Sequence, residues 1–423
     1  MAVSHRPVLT LLPWLLAAGC QSFAPPPAPS TWEPPGGRFQ RPSTGDVIGR
    51  LARLRLRPGD TLADVARHFD VGLQALQDTN PGIDPWAPEA GSEIVLPLAF
   101  ILPQAPRRGI VINLAAMRLF HFPATDPHTV ESYPVGIGRA GWNTPTGNTR
   151  IVEKITHPRW VVPASIRREH ARRGDPLPSI VPPGPENPLG DFALRLGWRS
   201  YLIHGTNKPY GVGLRISHGC IRLYPEDIAR LFPRVAKGTP VAIVDQPYLL
   251  GWQGRELMLE VHRPLSQDRH TLATLWRGLA ERLRQVQTLT DRPIDWRRVD
   301  RAVAEARGIP LPILADAPRW QAYLAALPQI SHPPRWRHAY RPPPPGPGWY
   351  LATGVLKPRE RRIVTAILHH QSPPYPARIH EGRVVIGPYA EKTRARRAQR
   401  RLTRDFDLKT RLLPPAPLEA DRR

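Results

Sequence analysis

Proline stands at 54 of the 423 positions, a density that implies extended loops and linkers between compact parts. A length of 423 residues suggests two to four folded units, and the 41% apolar fraction is enough to give them cores. The chain is therefore expected to be a globular, multidomain α+β protein with Pro-rich joints. Residues 20–50, rich in Pro, Gly and Ser up to Pro42, read as a flexible stalk.

The formal charge is +24 and the pI about 11.1, which in a cytoplasmic chain would put nucleic acid first among partners. The N-terminus argues for another compartment. After His5 and Arg6, Val8 to Ala18 is an apolar run too short to span a bilayer and suited to a signal h-region. It ends in Leu16-Ala17-Ala18-Gly19-Cys20, which resembles the bacterial lipobox. That resemblance implies removal of residues 1–19 and lipidation of Cys20, with Gln21 favouring the outer membrane. The expected place is the cell envelope and periplasm, with membrane contact through the lipid anchor and no nucleic-acid partner.

Only two cysteines are present, so lipidation of Cys20 leaves Cys220 without a disulfide partner. An unpaired thiol in an exported protein is open to oxidation, and a chemical reason for keeping it is to be sought. A small buried hydrophobe is the other reading of such a residue. Its neighbours favour chemistry.

Residues 51–98 read as strand, two helices, strand: Asp60 or Thr61 caps a helix striped by Leu62, Val65, Ala66 and Phe69, and Asn80-Pro81-Gly82-Ile83-Asp84 makes a turn. The segment resembles the LysM domain in its Pro58-Gly59-Asp60-Thr61-Leu62 start, its Asn-Pro-Gly turn and its closing Leu96-Pro97. The resemblance implies binding of N-acetylated glycan strands. Residues 108–245 change to short alternating or apolar runs punctuated by Gly and Pro, the pattern of a β-rich unit. A strand pair and helices are expected over 246–340, a polyproline linker over 341–348, and strands alternating with helices over 349–413. The run Arg383 to Tyr389 followed by a basic helix resembles the SPOR domain, which implies an α/β sandwich that binds glycan stripped of stems.

The chemistry concentrates in His204-Gly205 and in Ser217-His218-Gly219-Cys220-Ile221-Arg222. A free thiol has a pKa near ~8.5, so Cys220 needs an imidazole to act as a nucleophile at neutral pH, and both histidines are candidates. Gly219 keeps bulk away from the backbone before the thiol, where amide N–H groups can face an oxyanion. This stretch resembles the L,D-transpeptidase catalytic (YkuD) family, whose signature is His-Gly followed by Ser/Thr-His-Gly-Cys. The resemblance implies that Cys220 attacks, that His204 is its acid/base partner, that the Gly205 carbonyl orients the imidazole and that His218 shapes the site. It assigns Arg222, Ser217 and Gly219 to substrate binding, with Arg222 clamping a stem-peptide carboxylate. The segments Trp142 to Gly147 and Pro182 to Gly190 are similar to family segments around the cleft, and turn chemistry accounts for them equally well.

The implied reaction is acyl transfer between peptidoglycan stems, giving cross-links between third residues, or from a stem to an outer-membrane lipoprotein. Water as acceptor would make a carboxypeptidase or hydrolase, and a non-catalytic wall tether is the alternative outside enzymology. Zinc held by His204, His218 and Cys220 is a further rival that lacks an evident fourth ligand, so no metal or cofactor is expected.

Overall fold

The computed structural model describes residues 36–415 apart from 173 and 372. Cys20 and the signal segment lie outside the described residues.

The chain enters through β1 (Arg38–Gln40), β2 (Val47–Gly49) and β3 (Ala52–Arg55), followed by α1 (Leu62–His68), α2 (Leu73–Thr79), β4 (Glu93–Leu96) and β5 (Ala99–Ile101). Thr61 caps α1 by accepting the Asp64 N–H at 3.0 Å, and Leu62, Val65 and Ala66 form its buried stripe. Asn80 closes the βααβ unit. Its amide accepts from Val95 N at 2.7 Å and donates to Leu76 O at 2.9 Å and Val95 O at 2.8 Å.

Residues 38–49, expected in the stalk, instead belong to the folded body. β1 pairs antiparallel with a strand of the central sheet, β2 pairs with β5, and Phe39 and Ile48 are buried. Apolar side chains at Phe39, Val47 and Ile48 supply the burial, and the flanking Pro and Gly masked that short signal.

The central unit contains β6 (Gly109–Asn113), β7 (Arg118–Phe122), β8 (Thr129–Pro134), β9 (Ile137–Gly138), β10 (Gly147–Thr156), β11 (Trp160–Val161), α3 (Ala164–Arg172) and β12 (Ile180–Val181). It continues with β13 (Phe192–Leu196), β14 (Leu202–His204), β15 (Arg215–Ser217), β16 (Ile221–Arg222), α4 (Pro225–Leu231) and β17 (Pro240–Val244). Nine strands form one sheet in the order β1-β8-β7-β6-β17-β10-β13-β14-β16. Ile110 and Ile112 face a core with Leu194, Ile203 and Ile221, while Val111 faces Phe39, Phe100 and Phe120. Burial on both faces explains the unbroken apolar run of β6.

Beyond β17 come β18 (Tyr248–Gln253), β19 (Glu256–Val261), α5 (Arg269–Thr290), α6 (Trp296–Glu305), β20 (Leu311–Pro312) and α7 (Trp320–Ala325). Their core includes Val47, Leu51, Ala99 and Ile101, so this extension shares its interior with the N-terminal strands. It also reaches the βααβ unit: Arg53 N–H donates to Pro328 O, Ile330 N–H donates to Arg53 O, and Ile330 fills that unit's core.

The C-terminal unit runs β21 (Trp349–Ala352), α8 (Pro358–His369), β22 (Ala377–His380), β23 (Arg383–Tyr389), α9 (Lys392–Phe406), β24 (Arg411–Leu413). Its antiparallel sheet, β22-β23-β21-β24, carries both helices on the face of Leu351, Val384 and Ile386.

Candidate active site

β14 and β16 are parallel neighbours, with Ile203 aligned to Ile221 and His204 to Arg222. Cys220 immediately precedes β16, so the thiol stands at the start of the strand that pairs with the one ending in His204. The thiol is half-buried. Its Sγ is 3.7 Å from Ser200 O. Burial pushes the thiol pKa up, opposed by the Leu202 N–H and by the nearby Arg222 charge.

His204 is buried, and its Nδ1 is 2.6 Å from Gly205 O. A carbonyl can only accept, so Nδ1 carries the proton and Nε2 keeps its lone pair. Burial and the Arg222 charge lower the imidazole pKa to about 3, against the carbonyls of Gly205 and Leu189. The ring is therefore neutral at physiological pH.

The turn that presents the thiol is held by hydroxyls. Ser217 Oγ donates to Cys220 O at 2.6 Å and accepts from Gly219 N at 3.1 Å. Thr144 Oγ1 donates to Gly219 O at 2.9 Å and accepts from Gly138 N at 3.2 Å. Gly219 has φ +104, and a Cβ there would stand 3.1 Å from Tyr201 Cε1, so only glycine suits the position. These facts revise two expected substrate contacts. Ser217 is buried with its hydroxyl engaged inside the turn, and the Gly219 N–H is already taken. Among the described residues no hydrogen bond occupies the Cys220 N–H.

His218 sits apart from His204 in role and surroundings. Its ring meets Trp142 edge-on at 4.9 Å, and its Nε2 lies 3.2 Å from Glu169 Oε2 and 3.3 Å from Arg139 Nη2. Arg139 Nη2 and Glu169 are 2.6 Å apart, and hydrogen bonds from Arg139 and His218 bring the carboxyl pKa down to about 2. Glu169, on α3, carried no motif and could not be found from sequence. Arg139 follows the Gly-Ile-Gly segment without a signal of its own.

Arg222 is half-buried, its Nε has no partner among the described residues, and its charge interacts with both the Cys220 thiol and the Tyr210 phenol. The segment before Gly190 is stapled by Asn187, whose Nδ2 donates to Pro158 O at 2.7 Å and whose Oδ1 accepts from Leu189 N at 2.9 Å. Turn chemistry thus accounts for Asn187, while Thr144 of the other segment touches the thiol turn directly. No group of three or more His, Cys, Asp or Glu side chains among the described residues is arranged to hold a metal ion.

Residues 107–243 match the L,D-transpeptidase catalytic domain model and residues 55–97 the LysM domain model. The chain is 46% identical over 233 residues to "Probable L,D-transpeptidase ErfK/SrfK" of Escherichia coli K12, spanning 54% of this chain and 74% of that protein. It is 40% identical over 257 residues to "Probable L,D-transpeptidase YcfS" of the same strain, 59% of this chain and 78% of that one. "Probable L,D-transpeptidase YbiS", also from that strain, is 37% identical over 279 residues, 64% of this chain and 90% of the relative.

Proposed function

The chain belongs to the L,D-transpeptidase family, and from that premise we propose that Cys220 is its nucleophile and His204 the general base. The observation that carries this reading is the parallel pairing of the strand ending in His204 with the strand that Cys220 immediately precedes, with the His204 Nδ1 proton directed to Gly205 O.

In this mechanism Nε2 of His204 takes the thiol proton as Sγ attacks the carbonyl at the L-centre of diaminopimelate in a tetrapeptide stem. A raised thiol pKa beside a neutral imidazole makes transfer concurrent with attack, rather than starting from a stored ion pair. The Cys220 N–H faces the tetrahedral oxyanion. When the carbon–nitrogen bond breaks, His204 protonates the departing D-alanine amine, and a thioester remains. An acceptor amine then attacks the thioester, passes its proton to His204, and the proton returns to the departing thiolate. Arg222 binds a stem carboxylate, and His218, fixed by Glu169 and Arg139, shapes the wall beside the thiol.

The acceptor is a stem amine, giving a cross-link between third residues, or a lysine of an envelope lipoprotein. The LysM unit keeps the enzyme on glycan, the C-terminal unit acts as a SPOR-like second wall contact, and lipidated Cys20 anchors the protein at the outer membrane. Mass spectrometry of protein lacking residues 1–20, incubated with disaccharide-tetrapeptide and a lysine-ended lipoprotein peptide, tests the reading. Dimers or peptide adducts with loss of D-alanine, absent in Cys220→Ala, are expected. Tripeptide alone would make it a carboxypeptidase, and no product would leave a tether.

A further inference from the structure

A cleft of about 390 Å³ opens where four parts of the chain meet. Arg67 comes from α1, Tyr210 from the turn after β14, Tyr340 and Arg341 from the junction of the extension with the linker, His369 from the end of α8 and Gln371 from just beyond it. Its walls are tied to one another. His370 Nε2 is 3.2 Å from Asp64 Oδ1, Arg67 pairs with Glu226 at 2.8 Å, and the Tyr340 and His369 rings meet edge-on at 5.2 Å.

The cleft adjoins the reacting groups through Tyr210, which follows His204 on the same connection. The next residue, Gly211, packs with Arg222 around Gly136, where a Cβ would stand 2.7 Å from Gly211 O and 3.5 Å from Arg222 Cβ. Its size falls within the ~300–1,000 Å³ of small-molecule sites. Its chemistry is selective: no Val, Leu, Ile, Met or Phe lines it, while phenol and imidazole rings alternate with guanidinium and amide groups. Its apolar surface comes from the ring faces and from Ala63, Pro209, Ala339 and Pro374 rather than from branched aliphatic side chains. Arg67 is neutralised by Glu226 and His370 faces Asp64, so the walls do not form a concentrated anion site. Flat rings that cover C–H faces, with hydrogen-bonding groups between them, suit a saccharide carrying hydroxyl and acetamido groups. A larger groove, about 660 Å³ and lined by Trp276, Arg284 and Trp296, lies between α5 and α6 and shares no residue with the site.

We infer that this junction cleft binds the amino-sugar backbone of the acyl donor, so that its stem peptide passes Tyr210 and Arg222 to reach Cys220. The inference rests on the acyl-transfer reading above and adds that the C-terminal unit supplies part of the substrate site. The test uses the full chain with Tyr340→Ala and, separately, Gln371→Ala, comparing disaccharide-tetrapeptide with the same tetrapeptide lacking sugar. The expected result is an about tenfold fall in kcat/KM for the sugar-bearing donor and less than about twofold for the bare peptide. Equal losses on both donors, or no loss on either, overturn the inference. If wild-type protein turns over neither donor, the acyl-transfer reading fails by itself, and hydrogen exchange then decides the cleft. Protection of residues 338–341 and 369–371 by disaccharide-tetrapeptide supports it, and protection confined to 55–97 overturns it.

Discussion

His204 ends one strand and Cys220 precedes its parallel neighbour after a short stretch of chain, whereas Asp60, Asp84 and Asp64 find their partners across most of the sequence. Asp60 Oδ2 meets His332 Nε2 at 2.9 Å, Asp60 Oδ1 accepts from Trp336 Nε1 at 2.8 Å, and Asp84 Oδ2 accepts from Arg359 at 2.6 Å. Asp64 faces His370. The first arrangement is made of backbone register and buried hydroxyls, with Ser217 Oγ and Thr144 Oγ1 each making two hydrogen bonds in the thiol turn. The second is made of side-chain contacts between distant segments, buried at Asp60 and His332 and exposed at Arg359, where a pair contributes little. A site that must hold reacting atoms in place uses the first construction. A junction that gathers separate units around a cleft can use the second.

The sharpest way to break this contrast is at the thiol. Cys220→Ala is expected to lower acyl transfer by at least about 1,000-fold while the chain keeps its fold and its glycan binding. Residual turnover within tenfold of wild type would remove Cys220 from the reaction.

His204→Ala is expected to slow acylation by a carbapenem about 100-fold to 10,000-fold. The pH dependence adds a sign. Because the folded imidazole titrates at about 3, below its ordinary 6.5, His204 remains a free base as pH falls from 7 towards 4. The acylation rate should then show no acidic limb between 6 and 7, and such a limb, lost in His204→Ala, would contradict the buried neutral ring. The same shift makes the unfolded chain the stronger proton binder below pH 6.5, so this histidine lowers stability as pH falls.

Thr144→Val tests the hydroxyl scaffold. It leaves Gly219 O and Gly138 N unpaired in the interior, at about 1–3 kcal/mol each, and should lower both the melting temperature and the acylation rate. A stable variant with normal acylation would show that the turn does not depend on it.

The smallest effect belongs to the junction. Burial pulls the His370 pKa down, but its hydrogen bond and charge interaction with Asp64 outweigh burial and leave it raised. Its stabilising contribution is thus complete below the unfolded value near 6.5 and is lost as pH rises through the higher folded value. The Asp64 pKa is raised by burial but lowered overall by His370 and Thr61, so the carboxylate side of the pair persists well into acid. Protection factors in α8, which remove the intrinsic rise of amide exchange with pH, should fall on going from pH 6 to pH 9 in wild type and stay flatter in His370→Phe. Asp64→Asn should cost about 1 kcal/mol or less of docking.

Much of the site could be read directly because its residues are close in sequence and each type has few alternatives. His204-Gly205 and Ser217 to Arg222 stand out as a compact group, and the free thiol of Cys220 within it narrows the chemistry further. What escaped were the supports. Glu169, which pins His218, lies on α3 in a charged helix where one carboxylate looks like any other. Ser217 read as a substrate contact because a hydroxyl in a motif does not disclose whether it faces the cleft or its own turn. Residues 38–49 read as stalk because three-residue strands give too few alternations to be heard above neighbouring Pro and Gly.

The linear sequence determined what depends on local periodicity and on residue chemistry: the βααβ unit, the β-rich centre, the two-helix C-terminal unit, and the thiol with its histidines. Tertiary structure alone decided which histidine is buried against a carbonyl and which is tied to Glu169, that the N-terminal strands complete two sheets, and that α1, the linker and α8 enclose one cleft. Those outcomes turn on burial, hydrogen-bond direction and contacts between distant segments, none of which leaves a periodic trace along the chain.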